Sequence, residues 1–155
     1  MKENRMNFCP ECGSEKIETH MMGRKWKCPQ CGFELYNNVA SAVGVVIFDG
    51  DGNVLLEKRA KEPRKGYLAF PGGFVDPDES LEEAAVRECM EEIGIKPNHV
   101  EFAASFPNTY EYKSVVYKTC DVFFTAAIDA DAKFSCQQSE VQDIVWVPCR
   151  TMEEL

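Results

Sequence analysis

The sequence predicts an α/β domain, built as a mixed β-sheet with one or two packed helices and preceded by a small separate ribbon. Three observations carry that reading. The chain has 155 residues, 45% of them apolar, which fits one domain plus a short appendage. Several β-branched runs stand against one stretch of clear helical periodicity, a pattern that suits a mixed sheet better than a doubly wound fold. Near the amino terminus, four cysteines fall into two pairs of the same form, Cys9-Pro10-Glu11-Cys12-Gly13 and Cys28-Pro29-Gln30-Cys31-Gly32. Asn37-Asn38 is the expected junction, giving a ribbon over residues 1–37 and a second domain over 38–155.

Two residues separate the cysteines of each pair and 15 lie between the pairs, the spacing of a closed tetrahedral zinc site. The glycine after each second cysteine suits a tight turn that aims backbone amides at sulfur. Disulfides are the alternative, but Met1-Lys2-Glu3-Asn4-Arg5 lacks the apolar core of a signal peptide. A ribbon this short buries too little apolar surface alone, so zinc held by Cys9, Cys12, Cys28 and Cys31 would supply much of its folding free energy. It then acts as a structural clip or a homodimerisation element. The basic stretch Arg24-Lys25-Trp26-Lys27 either touches nucleic acid or balances the charge of four thiolates. Cys89, Cys120, Cys136 and Cys149 have no metal spacing and read as small hydrophobes or idle thiols.

The formal charge of −9, from 26 acidic and 17 basic residues, argues against a general nucleic-acid binder. Phosphate substrates stay admissible, because a divalent cation can bring them in. No apolar run approaches the ~18 to 20 residues that span a bilayer, and the expectation is a cytoplasmic protein.

Beyond the junction, residues 42–48 and 54–56 read as strands joined by the turn Asp49-Gly50-Asp51-Gly52-Asn53. Residues 58–65 read as a charged loop. Leu68-Ala69-Phe70 precedes Pro71-Gly72-Gly73, a helix runs from Ser80 to Ile93 and stops at Gly94, and residues 115–128 and 144–147 are strand-like. Thr151-Met152-Glu153-Glu154 has the form of a capping box, but with Leu155 next the expectation is a helix cut short or frayed.

Residues 76–92 hold eight carboxylates and one cation, Arg87. Ser80 to Glu83 reads as a capping box. On a helical wheel with Leu81 at zero, Leu81, Ala85, Val86, Cys89, Met90 and Ile93 spread over one half, while Glu91, Glu88 and Glu92 fall at about 280°, 340° and 20°. Arg87, at about 240°, lies outside that wedge. Like charges so placed repel by roughly 0.2 to 0.5 kcal/mol per exposed pair, and by more as water is lost. A hard divalent cation, Mg2+ or Mn2+, is the natural partner; a merely solvated acidic face is the alternative.

Gly73, five residues to Glu79, then seven to Arg87-Glu88-Cys89-Met90-Glu91-Glu92-Ile93-Gly94-Ile95 resembles the Nudix box, G-x5-E-x7-R-E-U-x-E-E-x-G-U. Cys89 is the one departure, at a position where the family prefers Ile, Leu or Val. The resemblance covers residues 40–148 and, with the ribbon, looks like the NADH pyrophosphatase branch. It implies an α/β/α sandwich around a mixed sheet and hydrolysis of a nucleoside diphosphate linked to another moiety. It implies metal ligation by Glu88, Glu91 and Glu92 with a glycine carbonyl, Gly72 or Gly73, and an orienting pair of Arg87 and Glu79. The general base is either a box glutamate or a loop glutamate before the last strand, where Glu140 stands.

Substrate identity is less legible. The S-Q-P-W-P-type motif of NADH pyrophosphatases is replaced by Ala104-Ser105-Phe106-Pro107-Asn108-Thr109-Tyr110, so NAD(H) stands beside ADP-ribose, other nucleotide sugars and dinucleoside polyphosphates. Tyr110, Tyr112 and Phe106 either stack on a base or simply pack. Arg59, with Arg64 and Lys65, either reaches a phosphate or is solvated. Two other functions remain open: a nucleoside-triphosphate or RNA-cap hydrolase, and a non-catalytic module that senses a nucleotide.

Overall fold

The computed structural model describes residues 4–62, 64–113, 115–129 and 131–154, with residues 152–154 as backbone. They form two compact units: the chain up to Ala40 with Asn108–Thr119, and Ser41–Pro107 with Cys120 onward.

In the first unit, β1 (Glu18–His20), β2 (Lys25–Lys27) and β3 (Glu34–Tyr36) form an antiparallel meander with Thr19, Trp26 and Leu35 in register. Strands of three residues have little cohesion of their own. Among residues 4–40 the buried side chains are Trp26, Cys9 and Cys28, so the ribbon's interior consists largely of the cysteine loops. The basic stretch lies on β2, where Lys25 and Lys27 pair with Glu34 at 2.7 and 3.8 Å. Its charge is thus partly met within the ribbon.

The rest of the chain forms two three-stranded sheets, of which residues 108–112 and 115–119 count with the first unit. One orders β4 (Ala40–Ile47), β8 (Val115–Ala127) and β7 (Asn98–Tyr112) as β4-β8-β7; the other orders β6 (Leu68–Ala69), β5 (Asn53–Arg59) and β9 (Val141–Pro148) as β6-β5-β9. The turn between β4 and β5 forms as its chemistry predicts: the Asp49 carboxylate accepts from the Asp51 and Asn53 amides at 2.9 and 2.8 Å. β5 runs on through Lys58 and Arg59, so the charged loop starts later than its composition suggests. β7 has no counterpart in the sequence reading. The alternation was there to detect: Val100, Phe102, Ala104, Phe106, Tyr110 and Tyr112 share one face against Glu101, Ser105, Thr109 and Glu111.

The helix α1 (Leu81–Glu92) starts with the predicted capping box: Ser80 Oγ accepts from Glu83 N–H, and the Glu83 carboxylate accepts from Ser80 N–H at 2.7 Å. Its buried face is Ala84, Ala85, Glu88, Cys89 and Glu92, whereas Met90, expected inside, is 47% exposed. The helix is therefore rotated from its apolar half toward its small residues and two of its glutamates. Ala84, Ala85, Cys89 and Ile93 pack with Val45, Ile47, Leu55 and Phe124, each large side chain contributing about 1.5–3 kcal/mol. At the carboxyl end, Cys149–Glu154 is a 3₁₀ turn. Among the described residues no helix is long and apolar enough to cross a membrane.

Candidate active site

The loop before α1 is bound along β4. Val45 N–H donates to Pro71 O and Val43 N–H to Gly73 O, both at 2.8 Å, with Gly72 between them. Its φ of 151° disfavours any side chain, and a Cβ would stand 2.1 Å from Val43 O. Only glycine fits there. The close approach brings Gly72 N–H to Glu92 Oε2 at 2.8 Å. Gly73 makes room of another kind, because a Cβ would fall 2.4 Å from Glu88 Oε1. The Gly73 carbonyl, expected at a metal, accepts from Val43 and keeps a second lone pair.

Three carboxylates are buried at this point: Glu88 and Glu92 from α1, and Glu57 from β5, which is 1% exposed. The Glu57 and Glu92 carboxyl groups are within hydrogen-bonding reach of one another. Burial, then the Glu57 charge, pushes Glu92 up to about 9. Burial raises Glu57 to about 7 despite the hydrogen bond with Glu92 and the charge of Arg59. Burial raises Glu88 as well, against the hydrogen bond from Arg87.

Arg87 is more central than the wheel suggested. Its guanidinium grips Glu79 with two bonds, Nε to Oε2 at 3.0 Å and Nη2 to Oε1 at 2.6 Å. It also donates to Glu88 Oε1 at 2.8 Å, Glu91 Oε2 at 3.3 Å and Phe74 O at 3.0 Å. Arg87 and Glu79 are thus paired, and Arg87 also contacts two of the expected metal ligands, Glu88 and Glu91. Glu91 lies on the outer side, its side chain 53% exposed. The wedge of three glutamates is split in this structure: Glu88 and Glu92 inside, Glu91 at the rim.

Glu140 immediately precedes β9. Its carboxylate is paired with Lys61, its backbone oxygen accepts from Ala60 N–H at 2.6 Å, and its charge acts on both Glu57 and Glu88. Arg59 ends β5 beside Glu57, donating its N–H to Tyr67 O at 3.0 Å. Tyr110 and Tyr112 belong to the other unit, with the ribbon. Tyr110 packs against Tyr117 with ring centroids 6.3 Å apart, and Lys113 Nζ lies 5.2 Å from the Tyr112 ring. Within the second unit, Phe106 meets Phe123 edge-on.

The four ribbon cysteines form a site of their own. Their sulfurs lie within 4.8 Å of one another, the only such group of possible metal ligands among the described residues. Cys9 Sγ and Cys31 Sγ are 3.6 Å apart, and Cys12 Sγ and Cys28 Sγ 3.7 Å. A tetrahedral ion with sulfurs at about 2.3 Å spaces them about 3.8 Å apart, so the cluster has the right size. The knuckle turns close through Gly13 and Gly32, whose N–H groups donate to Cys9 O and Cys28 O at 2.9 Å. The backbone amide of Cys31 leads in lowering the Cys28 thiol to about 6, favouring the thiolate a metal requires. Of the remaining cysteines, Cys89 is buried, Cys120 and Cys136 are half-buried and Cys149 is exposed.

The family model described as NUDIX domain matches residues 39–155. This chain belongs to the Nudix family. It is 29% identical over 150 residues to a protein of Deinococcus radiodurans named NAD-capped RNA hydrolase NudC, covering 96% of this chain and 51% of that one. It is 48% identical over 65 residues to the ADP-ribose pyrophosphatase of Methanocaldococcus jannaschii, covering 42% and 38% of the two chains. Among solved structures, a Nudix hydrolase from Nitrosomonas europaea superposes with a TM-score of 0.69 at 26% identity, covering 94% of this chain and 79% of that one. This chain spans about half or less of the length of the curated relatives it matches.

The Nudix box thus supplies Gly73, Glu79, Arg87, Glu88 and Glu92, with Gly72 just before it, to one connected arrangement, with Glu140 close by in charge. Glu57 was missed. Its signal is present in the sequence, a glutamate closing the apolar run Val54-Leu55-Leu56, but strand ends often carry charges and the residue lies outside the box.

Proposed function

We propose that this chain is a metal-dependent Nudix pyrophosphohydrolase acting on a nucleoside diphosphate linked to another moiety, with NAD(H) and ADP-ribose as leading substrates. The observation that carries the reading is the carboxylate set of Glu57, Glu88 and Glu92 behind the Gly72-Gly73 loop, whose burial, and then whose like charges, oppose full ionisation without a cation. The donors are hard oxygens, and Glu57 Oε2 is buried without a hydrogen-bond partner, so the set suits Mg2+ or Mn2+. Glu88, Glu91, Glu92 and the Gly73 carbonyl would hold it. When bound, a divalent cation screens the diphosphate and acidifies water.

The chain's own groups supply the rest. Arg87, fixed by Glu79, orients Glu88 and Glu91. Gly72 N–H orients Glu92. Glu140 is the reading for general base, its carboxylate released from Lys61 when substrate enters. Arg59 stands where it can meet a phosphate. The cysteine cluster takes zinc as a structural clip for a ribbon of residues 1–37 ahead of a Nudix domain over 38–155.

NAD joined to the end of an RNA presents the same diphosphate bond, and the relative from Deinococcus radiodurans keeps that substrate in play. The test is release of nucleoside monophosphate from NAD(H), ADP-ribose, dinucleoside polyphosphates, nucleoside triphosphates and NAD-capped RNA, with Mg2+ or Mn2+. Glu91→Gln and Glu92→Gln should each fold and lose about 10²- to 10⁴-fold in kcat. Glu82→Gln, exposed in the first turn, should stay near normal. Equal activity in Glu82→Gln and Glu91→Gln on a cleaved substrate would reduce the acidic helix to a solvated face, and no turnover across the panel would favour a sensor.

A further inference from the structure

Glu57 is not part of the Nudix box, yet it is the most deeply buried carboxylate in the site. It follows Leu55 and Leu56, themselves 0% and 3% exposed, and is 1% exposed itself. A carboxylate so placed costs several kcal/mol unless its oxygens find donors. Its carboxyl meets that of Glu92, which can donate to it only while Glu92 keeps its proton. Its Oε2 has no hydrogen-bond partner although it is closed off from water. Across from it stand Glu88 and Glu140, whose charges oppose its own, and Arg59, whose charge favours it. Packing alone gives no reason for such a group, because a leucine or glutamine would occupy the same strand position at lower cost. A buried acceptor against one carboxylate and in the field of two more has a use when a cation sits among them.

We propose that Glu57 is a further ligand of the divalent cation, placing a strand carboxylate beside Glu88 and Glu92 of the helix. The ion is then held from two elements, and its binding ties β5 to α1. This inference rests on the proposed metal site, and its test keeps the two apart.

Mn2+ binding to the full chain, read from the EPR signal of free Mn2+, is compared for the wild type, Glu57→Gln, Glu92→Gln and Glu82→Gln. Glu57→Gln keeps the side-chain shape. It should weaken Mn2+ binding by about 10- to 100-fold while melting no lower than the wild type in buffer free of Mg2+ and Mn2+. Glu82→Gln should bind as the wild type does. Unchanged Mn2+ affinity in Glu57→Gln, with Glu92→Gln weakened, overturns the role of Glu57 and leaves the box site standing. Unchanged affinity in both overturns the box site itself. A Glu57→Gln chain that melts lower than the wild type without metal, or does not fold, assigns Glu57 to packing and overturns the proposal.

Discussion

Neutralising Glu92 should stabilise the metal-free protein above neutral pH and leave it little changed at pH 5. Glu92 and Glu57 are 5% and 1% exposed and share one contact, so the folded chain keeps protons that the unfolded chain releases at about 4.5. Stability from this pair is full below that pH and is lost as pH rises through about 7 for Glu57 and about 9 for Glu92. Taking only the smaller rise, from 4.5 to about 7, at 1.36 kcal/mol per pH unit the loss is about 3 kcal/mol. Against a typical 5–15 kcal/mol of total stability, that moves a urea midpoint by about 1 to 2 M. The assay is urea unfolding at pH 5, 7 and 8 in buffer free of Mg2+ and Mn2+, followed by circular dichroism at 222 nm. That signal reads α1, the only α-helix among the described residues. The wild-type midpoint should fall with pH, Glu92→Gln should flatten the fall, and saturating Mg2+ should remove it. A flat wild-type profile, or an equally steep one in Glu92→Gln, refutes the reasoning.

Elemental analysis should find about one zinc per chain. Cys9→Ser should lose it and loosen amide protection in β2 while the helical signal of α1 stays; an ordered ribbon without zinc, or a Cys9–Cys12 disulfide, would count against the site. Gly72→Ala should cost about 3 kcal/mol, from backbone strain and the clash with Val43 O, and wild-type stability in urea would show that the loop moves freely.

The parts legible in the sequence were those with local causes. The Cys-Pro-x-Cys-Gly knuckles, the Asp49 turn and the Ser80 capping box each need only a few neighbouring residues, and each formed as its chemistry requires. The wheel placed Glu88 and Glu92 at the border of the buried side but could not say how far the helix would turn. Tertiary packing decided that, setting Ala84 against the core where Met90 was expected. The long strand β7 carries a period-2 pattern, Val100-x-Phe102-x-Ala104-x-Phe106, and was legible though it was passed over.

The charge imbalance of residues 76–92 was legible as a total, but its distribution was not. Arg87 lies within ion-pair distance of Asp76, Glu79, Glu88 and Glu91. Glu83 is spent on the Ser80 cap, and Glu82 sits in the first turn, where the helix dipole favours it. Of the box carboxylates, this leaves Glu92 beyond the guanidinium, and it faces a carboxylate rather than a cation. The surplus negative charge therefore gathers at the seam between α1 and β5. Periodicity cannot reveal such a seam, because Glu57 and Glu92 belong to elements of different repeat and meet only when strand and helix pack. A lysine at either position would have satisfied the other. Two glutamates instead make a place that is unfavourable when empty and ionised, which is the electrostatic condition for holding a divalent ion.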